Sequence, residues 1–74
     1  MNTKVLIIGA CGQIGTELTK KLREIYGIEN VVASDIRKLN IDVVNNGIFE
    51  VVNALDYNQL DHLVEQYEIT DVYL

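Results

Sequence analysis

Apolar and polar residues follow one another along this 74-residue chain in blocks of two kinds, short unbroken runs and longer periodic stretches. The first run, Val5-Leu6-Ile7-Ile8, follows Lys4 and fits a strand buried on both faces. From Gln13 to Tyr26 the apolar positions are Ile14, Leu18, Leu22 and Ile25. Their spacings of four, four and three draw one stripe on a helix. Glu17, Lys20, Lys21 and Glu24 supply a solvated opposite face, and Gly27 suits a left-handed C-terminal cap. Val31-Val32-Ala33, closed by Ser34-Asp35, is a second strand. Between residues 36 and 47, Ile36, Leu39, Ile41, Val43 and Val44 keep no helical period, and Asn45-Asn46-Gly47 signals a turn. A long connection holding one helical turn is expected there, not a full crossover helix. Phe49-Glu50-Val51-Val52 is the third strand. Asp56 then resembles an N-cap with Gln59 as its capping-box partner, ahead of a stripe at Leu60, Leu63, Val64 and Tyr67. Asp71-Val72-Tyr73-Leu74 begins a fourth strand.

The order β-α-β-(loop)-β-α-β, closed with right-handed crossovers, predicts an α/β fold. Its parallel sheet is Rossmann-like and doubly wound, with strands in the order 3-2-1-4. The chain reverses direction between strands 1 and 4, so one full helix is expected on each face. Two helices cannot cover both faces of four apolar strands, and the last strand carries no turn signal. Residues 1–74 are therefore expected to be the N-terminal part of a larger nucleotide-binding domain, ending just after strand 4 begins. Such a unit on its own is expected to expose apolar sheet and to associate.

The seven residues Gly9-Ala10-Cys11-Gly12-Gln13-Ile14-Gly15 join the first strand to the first helix without a break. A strand that turns sharply into a helix aims the helix N-terminus at a ligand. Gly9 permits the turn, Gly12 removes a side chain where the backbone would approach a pyrophosphate, and Gly15 lets the helix pack close to the strand. The N–H groups near Gln13 and Ile14 then face phosphate oxygens, aided by the helix dipole. The Walker pattern is absent, which argues against an ATPase. Asp35, twenty residues beyond Gly15, ends the second strand, where a carboxylate can accept the adenosine ribose hydroxyls. It would repel a 2′-phosphate, so NAD is favoured over NADP. Arg37 pulls the other way, as a guanidinium able to tolerate a phosphate, or lies against the adenine face.

Charge narrows the partners. The formal net charge is −5 and the pI about 4.5, which argues against nucleic acid and against anionic membrane surfaces. Apolar residues make up 49% and charged residues 23%, an ordinary globular balance. One cysteine forms no internal disulfide, and no run approaches a membrane span, so a cytoplasmic setting is expected.

The spacing G-x-x-G-x-x-G resembles that of the short-chain dehydrogenase/reductase superfamily. Asn53-Ala54-Leu55-Asp56-Tyr57 is similar to the D-x-x-D segment of its extended branch, the NAD-dependent epimerase/dehydratase family. In that pattern the first acid contacts adenine and the second caps the helix. Asn53 departs from it, although an amide can still bond an adenine edge. VLIIGACGQIGT and Ala33-Ser34-Asp35-Ile36-Arg37 look more narrowly like the bacterial L-threonine 3-dehydrogenases of this branch. The resemblance implies NAD as cofactor and Gly9, Gly12, Gln13, Ile14, Gly15, Asp35, Ile36, Arg37, Asn53, Ala54 and Leu55 as its binding positions. It further implies oxidation of L-threonine to 2-amino-3-ketobutyrate, and a homo-oligomer, a dimer, at full length.

The superfamily's general base is the tyrosine of a Tyr-x-x-x-Lys pair. Asn30, Asp61 and Asp71 stand four residues after Tyr26, Tyr57 and Tyr67, and Tyr73 is too near Leu74 for a partner, so the pair is absent here. Any catalytic residues are expected beyond Leu74, and none is assigned within the chain. Two alternatives stay open: a sugar-nucleotide epimerase or dehydratase that retains NAD, and a non-catalytic dinucleotide sensor. Cys11 is expected to be a small side chain packed beneath the loop. A catalytic nucleophile there is disfavoured, and so is a carboxylate pair at Asp56 and Asp61. His62 is expected to be exposed, with no metal partners.

Overall fold

The computed structural model describes residues 3–74. Strands β1 (Val5–Ile8), β2 (Val31–Asp35), β3 (Ile48–Val51) and β4 (Asp71–Tyr73) alternate with helices α1 (Gln13–Tyr26), α2 (Asp42–Asn45) and α3 (Tyr57–Gln66). A 3-10 turn, Ile28–Asn30, leads into β2. All pairings are parallel and the sheet order is β3-β2-β1-β4, as the crossover argument predicts. The 36–47 connection holds the single turn α2, and that turn buries Val43 and Val44. Right-handed crossovers put α1 and α2 on one face and α3 on the other.

The register decides which side chains meet which helix. Val5 pairs with Val31, and Ile7 with Ala33 and Tyr73. These residues join Ala10, Leu22 and Val43 in the core beneath α1 and α2, with Leu18, Tyr26, Ile41 and Phe49 packed at its edge. Leu6 and Val32 point to the other face, on which α3 contributes the buried Leu63. β1 and β2 are buried along almost their whole length, as a central parallel pair requires.

The inward stripe of α1 differs from the expected one. Leu22 is buried and Leu18 half-buried, but Ile14 is 83% exposed and Ile25 60%. Thr19, not read as a core position, is fully buried and donates its hydroxyl to the Gly15 carbonyl at 2.7 Å. The cause is Gly15, where a Cβ would come within 2.1 Å of the Gly9 carbonyl oxygen. That contact fixes the face holding Gly15, Thr19, Leu22 and Tyr26 inward, and a residue one position away lies about 100° round the helix.

Three local details also shift. β3 begins at Ile48 and ends at Val51, one residue earlier than the apolar run suggests; Val52 is buried past the strand end and donates its N–H to the Asp35 carbonyl at 3.0 Å. Gly27 takes the positive φ expected, 94°, but with ψ at 148°, so the chain leaves α1 extended and does not coil into a left-handed cap. Asp56 caps α3 by accepting the Gln59 N–H at 3.2 Å. The reciprocal half of the box is missing: the Gln59 amide donates to the Val51 carbonyl at 2.9 Å and ties α3 to β3 instead.

Candidate functional site

The carboxyl ends of β1, β2 and β3 bring the glycine loop, Asp35 and the Asn53 segment to one edge of the sheet. The loop opens at Gly9, whose φ of 87° belongs to glycine. The N–H groups of Gly9 and Ala10 both donate to the Ser34 carbonyl at 2.9 Å, so the turn hangs from β2 as well as from β1. Cys11 N–H donates to Asp35 Oδ2 at 2.9 Å in a buried bond. Gly12 N–H reaches the Gly9 carbonyl at 3.4 Å, and Thr16 N–H closes the first helical bond on the Gly12 carbonyl at 2.9 Å.

That accounting leaves the amides of Gln13, Ile14 and Gly15 without an acceptor among the described residues. The first turn of α1 has no side-chain cap and no acidic residue. A helix start this bare presents N–H groups and the positive dipole end to an anion. Gly12 keeps the approach open. It has an ordinary backbone conformation (φ −74°, ψ 170°), and a Cβ there would meet nothing nearer than the Gly9 carbonyl oxygen at 3.7 Å. The fold itself does not require glycine at this position, whereas it does at Gly9 and Gly15. The room at Gly12 suits a group brought in from outside.

Asp35 is 6% exposed. Its Oδ1 accepts the Arg37 N–H at 3.1 Å and lies 3.6 Å from Arg37 Nε, while Oδ2 holds Cys11. Burial raises the carboxyl's pKa. The Cys11 and Arg37 N–H groups and the Arg37 charge outweigh it and hold the group below the ordinary carboxylate value. Ile36 and Arg37 follow Asp35 on the surface. Asn53, Ala54 and Leu55 form an exposed turn in which Asn53 Oδ1 accepts the Leu55 N–H at 2.9 Å. The Asn53 carbonyl takes the Asp56 N–H at 2.9 Å, and the side-chain NH2 has no acceptor among the described residues. Cys11 is buried beneath the loop, its Sγ 3.6 Å from the Arg37 carbonyl, in the packing role expected of it.

Sequence reasoning singled out Asp35 by its place at the end of β2 but missed its protein partners, the Cys11 and Arg37 N–H groups. The Asp35 bond to Cys11 joins a side chain to a main-chain group 24 residues away, and main-chain groups leave no mark on residue identity. A groove of about 720 Å³ between α1 and α2 contains none of the selected positions, and its Lys20 and Arg23 are offset by Glu17, Glu24 and Asp42. His62 is exposed, and no group of His, Cys, Asp or Glu among the described residues is arranged to hold a metal. No helix among the described residues is long and apolar enough to cross a membrane.

No family model matches the chain. It is 50% identical over 66 residues to an uncharacterized epimerase/dehydratase of Staphylococcus aureus strain USA300, a match that covers 88% of this chain and 21% of that protein. Among solved structures, the L-threonine dehydrogenase of Clostridium difficile superposes with a TM-score of 0.92 at 42% identity, over 96% of this chain and 23% of that one. A GalE-like L-threonine dehydrogenase of Cupriavidus necator gives 0.85 at 45% identity, over 96% and 22%. A partial-consensus L-threonine 3-dehydrogenase gives 0.89 at 52%, again over 96% and 22%. The chain spans about a fifth of the length of the relatives it matches. Glycine loop, sheet order and these likenesses agree: over its length the chain is similar in sequence to an epimerase/dehydratase and in fold and sequence to the L-threonine dehydrogenases.

Proposed function

We propose that this chain grips the adenosine and pyrophosphate of NAD, and that the whole protein is an L-threonine 3-dehydrogenase. One observation carries the first half: an uncapped α1 N-terminus, open space at Gly12 and a buried ionised Asp35 meet at one sheet edge. Gly9 turns the chain and Gly15 sets the helix close. The amides of Gln13 and Ile14 bind the pyrophosphate past Gly12. Asp35 takes the ribose hydroxyls through its remaining lone pairs, and its charge disfavours a 2′-phosphate. Arg37, drawn toward Asp35, lies beside the adenine with Ile36. The side-chain amide of Asn53 meets the adenine edge, and Ala54 and Leu55 form the wall behind it. When bound, NAD supplies the hydride acceptor; the residues of this chain bind and orient it.

The threonine substrate rests on the solved structures at 42–52% identity. A second reading, a nucleotide-sugar epimerase or dehydratase that recycles its NAD, is favoured by the name of the relative at 50% identity. Turnover separates the two. The intact protein is expected to reduce NAD on addition of L-threonine, followed at the NADH absorbance, and to leave UDP-sugars unchanged. Epimerisation of a UDP-sugar with no threonine-dependent NADH would replace the first reading by the second.

A further inference from the structure

The bond between Asp35 and Cys11 gives the acid a second role. Of the loop amides, Gly9 and Ala10 are anchored at the strand end on the Ser34 carbonyl, and Gly12 has only the long 3.4 Å bond to Gly9. Cys11 N–H to Asp35 Oδ2, at 2.9 Å and buried, is, among the described residues, the one short bond donated by an amide on the half of the loop that leads into α1. A carboxylate acceptor makes this bond stronger than an amide–carbonyl bond. The carboxylate is itself steadied from the far side by the Arg37 N–H at 3.1 Å.

We propose that Asp35 is a positioning residue for the pyrophosphate as well as a ribose acceptor: by holding the Cys11 amide, its carboxylate fixes the direction of Gly12 and of the open amides at Gln13 and Ile14. This rests on the dinucleotide reading above. Each carboxylate oxygen has a second lone pair, so a ribose hydroxyl and a loop amide can share one side chain. Ribose and phosphate recognition are then mechanically linked through a single residue. An asparagine in its place has one acceptor oxygen and an NH2 group. It can satisfy Cys11 or Arg37, but not both.

The test removes the ribose hydroxyls from the ligand. Dissociation constants for ADP and for 2′,3′-dideoxy-ADP are measured on the intact protein and on D35N. If Asp35 holds the loop, D35N weakens both ligands, the dideoxy compound by roughly tenfold. If Asp35 acts on ribose alone, D35N weakens ADP and leaves dideoxy-ADP unchanged, which overturns the proposal. Loss must also depend on the phosphates: 2′,3′-dideoxyadenosine, followed by NMR titration, is expected to bind both proteins alike, and an equal loss there means general damage and also overturns it. Wild-type protein that binds neither nucleotide would remove the dinucleotide reading. In that case, or if D35N fails to fold, the wild-type protein decides the loop. A through-bond NMR coupling between the Cys11 amide nitrogen and the Asp35 side-chain carboxyl carbon is expected, and its absence refutes the tether.

Discussion

At the scale of single residues, the three loop glycines are held by different constraints and should fail differently. Gly15→Ala forces a Cβ into the Gly9 carbonyl oxygen, a backbone clash with no flexible end to yield, and is expected to cost roughly 3 kcal/mol or more. Gly9→Ala meets no atom within 4 Å but places an L-residue at φ 87°, a cost of about 1–2 kcal/mol. Gly12→Ala is expected to change stability by no more than about 0.5 kcal/mol, yet to weaken ADP binding by at least about tenfold. Urea unfolding and nucleotide titration of the three variants check this ranking; a destabilised Gly12→Ala that still binds ADP would contradict it. Asp35 adds a pH signature. Its pKa is lower folded than unfolded, so its stabilisation is present above the ordinary carboxylate value near 4 and is lost as pH falls below it. Urea unfolding between about pH 3 and 6 should show a shallower acid loss in D35N than in the wild type. Parallel curves would mean that the carboxylate is not held as described. At this scale the sequence announced Gly9, Gly15 and Asp35 by residue type and spacing. It could not announce Thr19, whose hydroxyl is satisfied by the helix's own backbone.

At the scale of elements, helix lengths were legible, and so was the rotation of α3, but the rotation of α1 was not. The run from Gln13 to Tyr26 is α1 to the residue, because glycines bound it at both ends. Its inward face is set by the Gly15–Gly9 approach, which leaves Ile14 and Ile25 in the open although both belong to the apolar stripe. Helix α3 keeps its expected stripe and is joined to β3 twice, through Gln59 to the Val51 carbonyl and through the Tyr67 hydroxyl, which donates to Glu50 Oε2. The Glu50 carboxylate raises the Tyr67 pKa, and partial burial adds to it. The bond therefore stabilises below the ordinary phenol value near 10 and is lost as pH climbs through the higher folded value. Tyr67→Phe is expected to cost about 1 kcal/mol at neutral pH, shrinking in strongly alkaline solution. An unchanged difference across that range, by urea unfolding, would assign the loss to packing instead.

At the scale of the whole molecule, the topology followed from order and handedness alone, since short parallel strands joined by helical crossovers admit few arrangements. The same order leaves too few helices to cover both faces of the sheet. Strand β4 is an outer strand of the described sheet, with Val72 half exposed, and Ile14, Leu55 and Tyr57 stand in the open. A polypeptide of these 74 residues is expected to self-associate with rising concentration, measured by analytical ultracentrifugation. A strictly monomeric species at all concentrations would show that this surface is tolerated. The two bonds from Gly9 and Ala10 to the Ser34 carbonyl carry a further consequence, this time for folding. The loop takes its shape from a residue on the neighbouring strand, so a peptide ending at Tyr26 would hold every residue of the glycine motif and none of its geometry. If the chain binds a dinucleotide as proposed, its nucleotide affinity is a readout of β1–β2 pairing. Ligand and fold stabilise each other through that joint, and the motif cannot be transplanted without the strand beside it.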